Sequence, residues 1–151
     1  MAQKKAVFIP SNSTSLQEKF ICCLMHDGKK TVARRVFNDT MEAIKAKGHK
    51  KPEEIFEKAL RNIMPQIEVR PRRVGGSIYQ VPVEVKPHRQ QTLAIRWVLQ
   101  ATRGKKGSSM SHRLAAELIA ASAEDGAAFK KREDVHKMAK ANRAFAHFGR
   151  Y

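Results

Sequence analysis

Residues 67–85 read IEVRPRRVGGSIYQVPVEV, and their apolar side chains alternate with polar residues or proline. Alternation with a period of two predicts β-strands, and the Gly75-Gly76 pair between the two runs predicts a tight two-residue turn. Pro71 and Pro82 cannot donate ladder hydrogen bonds, which argues against a central sheet position. The stretch therefore predicts a free two-stranded hairpin, with residues 66–87 as the hairpin arm.

An isolated hairpin is only marginally stable in water. We therefore expect the apolar base of this hairpin to lean on other elements while its arginine-rich part projects. Those elements are predicted to be helices, because apolar residues recur at helical spacing on both sides of residues 67–85.

The helical segments have recognisable ends. The first is predicted after a serine-rich cap and should stop near Gly28, with Leu16, Phe20, Cys23 and Leu24 on its apolar face. The others are predicted over about residues 31–47, from Pro52 to Pro65, after Pro87, from Met110 to Gly126, and then through His147. In the last helix we expect one face to be shared by Val135, Met138, Ala139, Asn142, Phe145 and Ala146.

The predicted fold class is therefore mainly α, with about six helices in a single bundle-like domain. A two-stranded β-hairpin protrudes between the third and fourth helices. Residues 1–151 are predicted to form this one domain, with a flexible N-terminal arm over residues 1–15 and the C-terminal helices over residues 88–148.

The charge of the chain is strongly positive. Thirty Lys and Arg residues face 14 Asp and Glu residues, which gives a formal net charge of +16. A domain this basic repels itself in isolation, so its expected partner is a polyanion.

Several classes of protein are not supported by the sequence. No apolar run is long enough for a membrane span, so no membrane partner is predicted. The six histidines are scattered, and there is no H-E-x-x-H or C-x-x-C pattern, so we predict no metal site, no cofactor and no small-molecule substrate. Cys22 and Cys23 are adjacent and are interpreted as small hydrophobes in a reducing compartment. No catalytic residue is predicted, and the chain is not expected to be an enzyme.

The basic residues concentrate in loops, at helix ends and on the polar sides of helices. Such positions suit phosphate neutralisation, and arginine adds two-point contact to phosphate and stacking on bases. In loops and at element ends the candidate nucleic-acid-binding residues are Lys29, Lys30, Arg34, Arg35, Arg70, Arg72, Arg73, Lys105, Lys106, Lys130, Lys131 and Arg132. On the polar stripes of the fourth and last helices they are Arg89, Arg96, Arg103, Lys137 and Arg143.

The polyanion could be RNA or DNA. A projecting ribbon with several basic patches suits a folded, irregular RNA. The same features also suit an architectural or transcriptional DNA-binding protein, which stays the alternative at this point. Aromatic residues make up 7% of the chain, too few for a single-strand stacking platform, and Trp97 is predicted to be in the core.

The motifs of the chain also resemble a known family. Residues 64–85 with their RPRRVGGS segment, DGKK at 27–30, LAIRW at 93–97 and KKREDVHKMA at 130–139 are similar, in order and spacing, to the bacterial-type ribosomal protein S-seven of the small subunit. The similarity runs from about Leu16 to Phe148.

The resemblance implies a structural ribosomal protein that binds the 3′ major domain of 16S-type rRNA and nucleates assembly of the subunit head. It implies a position at the subunit interface near the decoding centre and exit-site tRNA, with ribosomal proteins S-nine and S-eleven as neighbours. The tRNA-proximal hairpin tip would be Val74, Gly75, Gly76, Ser77 and Tyr79. The expected location is the ribosome of the cytoplasm, although the residues do not distinguish it from an organellar ribosome.

Overall fold

The computed structural model of the chain describes residue 10 and residues 13–150. Six α-helices and one hairpin follow in the order α1 (Ser15–Leu24), α2 (Lys30–Ala46), α3 (Pro52–Ile63), β1 (Ile67–Val74), β2 (Ser77–Glu84), α4 (Pro87–Gly104), α5 (Met110–Ser122) and α6 (Ala127–Ala141). A C-terminal 3₁₀ helix spans Arg143–Arg150. The mainly helical fold with a hairpin between the third and fourth helices is confirmed. Most of the predicted arm, residues 1–15, lies outside the described residues.

Local sequence signals set several helix starts. Thr14 caps α1, because its side chain accepts from the Gln17 N–H while the Gln17 side chain accepts from the Thr14 N–H at 3.1 Å. Pro52 and Pro87 occupy the first turns of α3 and α4, where a missing N–H costs nothing. A side-chain cap therefore marks the start of α1, and a proline in the first turn marks the starts of α3 and α4.

The core is built around α5, which packs against α2, α3 and α4. Leu114 and Leu118 of α5 are fully buried. At the other end of the core, Phe20, Phe37 and Phe56 bring α1, α2 and α3 together, with the Phe20 and Phe56 rings 5.2 Å apart and nearly perpendicular. The helical body is therefore a close-packed support for the surface side chains.

The hairpin pairs antiparallel from Ile67 with Glu84 to Val74 with Ser77. Gly75 and Gly76 form the two-residue turn with φ values of +57° and +87°, a combination suited to a primed turn. At the base, Val81 is fully buried, and the backbone N–H of Gln66 donates to His136 Nε2 of α6 at 3.2 Å. Burial lowers the pKa of His136, helped by the charges of Arg132 and Lys140, which favours the neutral ring that this bond needs.

The last helix differs from the prediction. It ends at Ala141, and the chain from Arg143 continues as the 3₁₀ helix, in which Phe145 and Phe148 pack on Tyr79 of β2. Aromatic contact with the hairpin outweighs a weak local helix tendency. Of the predicted face of this helix, Ala139 is buried as expected, but Met138 is 48% exposed.

The prediction for the cysteines was also wrong. Cys22 and Cys23 are both exposed. The buried side of α1 is centred on Phe20, Ile21 and Leu24, so Cys23 falls at the edge of that face and opens towards α4.

Candidate nucleic-acid interface

Helix α4 presents a stripe of arginines to the surface. Arg89, Arg96 and Arg103 follow one another at intervals of seven residues and are exposed, while Ala94 and Val98 on the opposite side are fully buried. Seven residues are close to two helical turns, so the three guanidinium groups share one face. This is the arrangement that the helical periodicity predicted.

Grooves flank this stripe on both sides and share its residues. The α1–α4 groove is lined by Cys23, Thr92, Arg96, Leu99, Gln100 and Arg103. Gln100 also lines the groove that contains Lys131 of α6, and Arg103 also lines the one that contains Lys29. Neighbouring grooves with shared lining residues therefore place Lys29 on one side of the α4 arginine stripe and Lys131 on the other.

Glu18 is a buried carboxylate that binds two of the predicted basic residues. Its side chain is 1% exposed, and Arg34 holds it with Nη2 donating to Oε2 at 3.1 Å and Nη1 2.9 Å from Oε1. Lys30 Nζ lies 3.2 Å from Oε2. Burial by itself raises the pKa of Glu18, but the contacts from Lys30, Ser13 and Arg34 outweigh it and hold the pKa below its usual value.

Glu68 is a second buried carboxylate, and it binds two arginines at the base of the hairpin. Its buried carboxylate accepts from Arg89 Nε of α4, at 2.9 Å to each oxygen, and also pairs with Arg70. The Arg89 and Arg70 side chains remain about half exposed. The carboxylate therefore fixes the hairpin base to α4 and positions two guanidinium groups at the surface.

Glu117 of α5 is a third buried anchor. Its Oε1 accepts from the Ala128 N–H at 2.8 Å in the first turn of α6, and its Oε2 lies 2.6 Å from Lys105 Nζ.

Arg132 is held by neutral groups instead. Its Nη1 donates to the Asn62 carbonyl at 2.6 Å, and its guanidinium group lies 4.3 Å from the centre of the Phe129 ring.

The other predicted basic residues are less constrained. Arg103 is exposed and donates from Nη2 to the Leu24 carbonyl at 3.3 Å, while Lys130 lies 3.7 Å from the exposed Asp125. Arg72 is exposed on β1. Within the part of the chain that the structure describes, no ion pair or hydrogen bond occupies the side chains of Lys29, Arg35, Arg73, Arg96, Lys106, Lys131, Lys137 and Arg143.

The tip of the hairpin is well exposed. Val74, Gly75, Gly76 and Ser77 are all exposed there, Val74 to 36%, and the neighbouring Ile78 is 69% exposed. Tyr79 is different, because its ring lies 5.1 Å from Phe145 and 5.3 Å from Phe148 and is half-buried. The structure therefore groups Tyr79 with the C-terminal 3₁₀ helix.

Some residues of this surface carried no signal in the sequence. Lys19 Nζ donates to the His88 carbonyl at 3.4 Å and joins α1 to the start of α4. Arg113 donates to the Lys105 carbonyl and holds the basic loop between α4 and α5. Both interactions connect residues that only the tertiary fold brings together.

The described residues carry neither a cluster of metal-ligating side chains nor a helix that could span a membrane. No group of three His, Cys, Asp or Glu side chains there could hold a metal ion. None of the helices in the same residues combines the length and the apolar character that crossing a membrane requires.

Comparison with known proteins identifies the family. A sequence model of the family ribosomal protein S7p/S5e matches residues 1–143. The small ribosomal subunit protein uS7 of Rhodopirellula baltica is 56% identical over 141 residues, covering 92% of this chain and 90% of that protein. Proteins of the same name from Moorella thermoacetica (57% identity, 86% and 83% coverage) and Alkalilimnicola ehrlichii (48%, 97% and 94%) are also similar. The resemblance inferred from the motifs is thus confirmed, and this chain belongs to the ribosomal protein S7p/S5e family, whose members are structural and non-enzymatic.

Proposed function

We propose that this protein is a structural constituent of the small ribosomal subunit that binds the 3′ major domain of 16S-type rRNA and nucleates assembly of the subunit head. The observation that carries the proposal is the exposed arginine stripe of α4, with the exposed Lys29 and Lys131 on the grooves beside it. Phosphate contacts from such a surface give affinity and register, and the fit of a rigid body to folded RNA gives selectivity.

The anchored bases support this assignment. The carboxylates of Glu18 and Glu68 each hold two basic residues, so each cluster keeps an excess positive charge at the surface. Side chains that are already ordered lose less conformational entropy when they contact a ligand. This arrangement is what a high-affinity RNA surface needs.

The proposal also assigns the surroundings of the protein. By family membership, the hairpin tip would lie beside exit-site tRNA at the subunit interface near the decoding centre, with ribosomal proteins S-nine and S-eleven as neighbours. The exposed tip residues 74–77 are available for such contacts. Relatives from three bacteria favour the cytoplasmic ribosome of a bacterium as the location.

Salt-dependent binding tests the proposal. A transcript of the 3′ major domain should bind much more tightly than duplex DNA of equal length near physiological salt. Because each lost phosphate contact lowers the slope of log K against log salt by about 0.9 for a duplex, the double variant Arg96→Ala/Arg103→Ala should bind more weakly with a flatter slope.

The double variant Lys47→Ala/Lys50→Ala removes the same charge at the exposed turn between α2 and α3 and serves as the control. Its slope should stay close to that of the unmodified protein. Equal slopes for both double variants, or tighter binding to duplex DNA, would contradict the proposal.

A further inference from the structure

The groove between α1 and α4 has the dimensions of a small-ligand site. Its volume is about 570 Å³, within the range of roughly 300–1,000 Å³ typical of such sites. The buried side chain of Leu99 contributes to its apolar lining, and Cys23 lines it from α1. An apolar cleft in the middle of a basic surface is a poor place for phosphate, which prefers hydrogen-bond donors and water.

The rim of the groove carries two arginines. Arg96 and Arg103 lie about 10 Å apart along the axis of α4, given seven residues at ~1.5 Å each. Arg96 has no hydrogen-bond partner within the described residues, and Arg103 uses one donor on the Leu24 carbonyl at 3.3 Å. Since a guanidinium group has five N–H donors, both can contact phosphates and stack on a base.

Gln100 lies between the two arginines along α4 and supplies a side-chain amide that can form hydrogen bonds. The hydroxyl of Thr92, also in the groove, already donates to the His88 carbonyl at 3.0 Å. The Gln100 amide is exposed and has no partner in the described part of the chain, so it offers a donor and an acceptor together. A donor–acceptor pair of this kind matches the edge of a nucleobase, whereas a phosphate can only accept.

We propose that the α1–α4 groove receives one unpaired nucleobase of the bound RNA. The base enters the apolar cleft, Gln100 contacts its polar edge, and Arg96 and Arg103 contact the phosphates on either side. Sequence-specific RNA recognition generally uses unstacked bases of this kind. The inference rests on the proposed function and adds a base-recognition site to what is otherwise a phosphate-binding surface.

The adjacent cysteines allow a matched test. Cys23 lines the groove, whereas Cys22 is exposed but is not part of the lining. Cys22→Ser leaves a single thiol in the groove, and Cys23→Ser leaves a single thiol beside it. Each folded protein is labelled either with N-benzylmaleimide or with methyl methanethiosulfonate, and its affinity for the 3′ major domain transcript is measured. Labelling after folding avoids loss of the fold, and neither label carries charge.

A base in the groove would be displaced by the benzyl group at position 23. We expect binding to weaken by about tenfold or more, because the base loses both its apolar contact with the groove and its hydrogen bond to Gln100. The slope against salt should not change, because the arginines remain. The benzyl label at Cys22 and the methyl label at either cysteine should change affinity by less than about twofold.

Equal affinities of the two benzyl-labelled proteins would overturn the inference while leaving rRNA binding intact. Failure of the unlabelled protein to select the transcript over duplex DNA would overturn the proposed function itself, and the base-recognition site with it. The two failures are therefore distinguishable.

Discussion

Replacing Glu117 measures what a buried carboxylate contributes to a protein with a net charge of +16. The Glu117 side chain is fully buried and faces both the Lys105 ammonium group and the start of α6. Glu117→Gln keeps an acceptor for the Ala128 N–H and removes only the charge. A hydrogen bond to a charged group contributes about 1.5–3 kcal/mol against about 1 for a neutral one, and a negative charge at a helix N-terminus adds about 0.3–1.

Two contributions oppose this loss: the substitution relieves the cost of burying a charged carboxylate, and Lys105 returns easily to water because its side chain is already 46% exposed. We therefore expect Glu117→Gln to lower the free energy of unfolding by about 1–2 kcal/mol. For a chain of this length that corresponds to a fall in Tm of about 2–8 °C. Glu117→Ala also removes the acceptor and leaves a cavity, so its expected cost is about 3–5 kcal/mol.

Urea unfolding followed by far-ultraviolet circular dichroism measures both values. Glu57→Gln, on the exposed surface of α3, serves as the control and should change stability by less than about 0.5 kcal/mol. A loss for Glu117→Gln as large as that for Glu117→Ala would show that the charge is not the stabilising component. A loss no larger than that of the control would show that the ion pair and the helix end contribute nothing.

Three further outcomes are expected. The pKa of Glu18 in the folded protein is held below its usual value of 4.5. The charged Glu18 carboxylate therefore stabilises the fold fully above about pH 4.5, and this stabilisation is lost as pH falls through the lower, folded-state pKa. Acid unfolding curves of Glu18→Gln should lack this loss. Shortening the tip at residues 74–77 should leave affinity for the rRNA transcript nearly unchanged but alter tRNA release from assembled ribosomes, and a collapse of rRNA affinity would contradict this division. Phe148→Ala should speed hydrogen exchange of the β2 amides around Tyr79 while exchange in α5 stays slow, and unchanged exchange in β2 would show that the C-terminal 3₁₀ helix does not support the hairpin.

Sequence reasoning succeeded where the signal was local. The Gly75-Gly76 turn, the proline-marked starts of α3 and α4 and the arginine stripe of α4 all follow from neighbouring residues and a single periodicity. Sequence reasoning failed after Ala141, where packing of Phe145 and Phe148 against a strand more than 60 residues earlier sets the backbone.

The buried glutamates escaped prediction for the same reason. Glu18 meets Arg34, Glu68 meets Arg89, and Glu117 meets Lys105 across different elements, so no spacing along the chain marks the pairs. A glutamate is on average solvent-exposed, whether it lies on a helix or on a strand. The helical wheels placed the basic residues at the surface, but they could not show which of them are anchored.

The basic residues of the protein fall into an anchored set and a partnerless set. Each buried glutamate neutralises basic residues where two elements meet. Glu18 joins α1 to α2, Glu68 joins the hairpin to α4, and Glu117 joins α5 to the loop before it and to the start of α6. Breaking a buried pair costs more than a surface pair contributes, so these junctions define the geometry of the body. The partnerless bases, such as Arg96 and Lys131, are then free to contact phosphate without loss of a protein contact. The anchored bases therefore contribute both to the fold and to the RNA-facing surface, whereas a substitution among the partnerless bases should weaken binding without unfolding the protein.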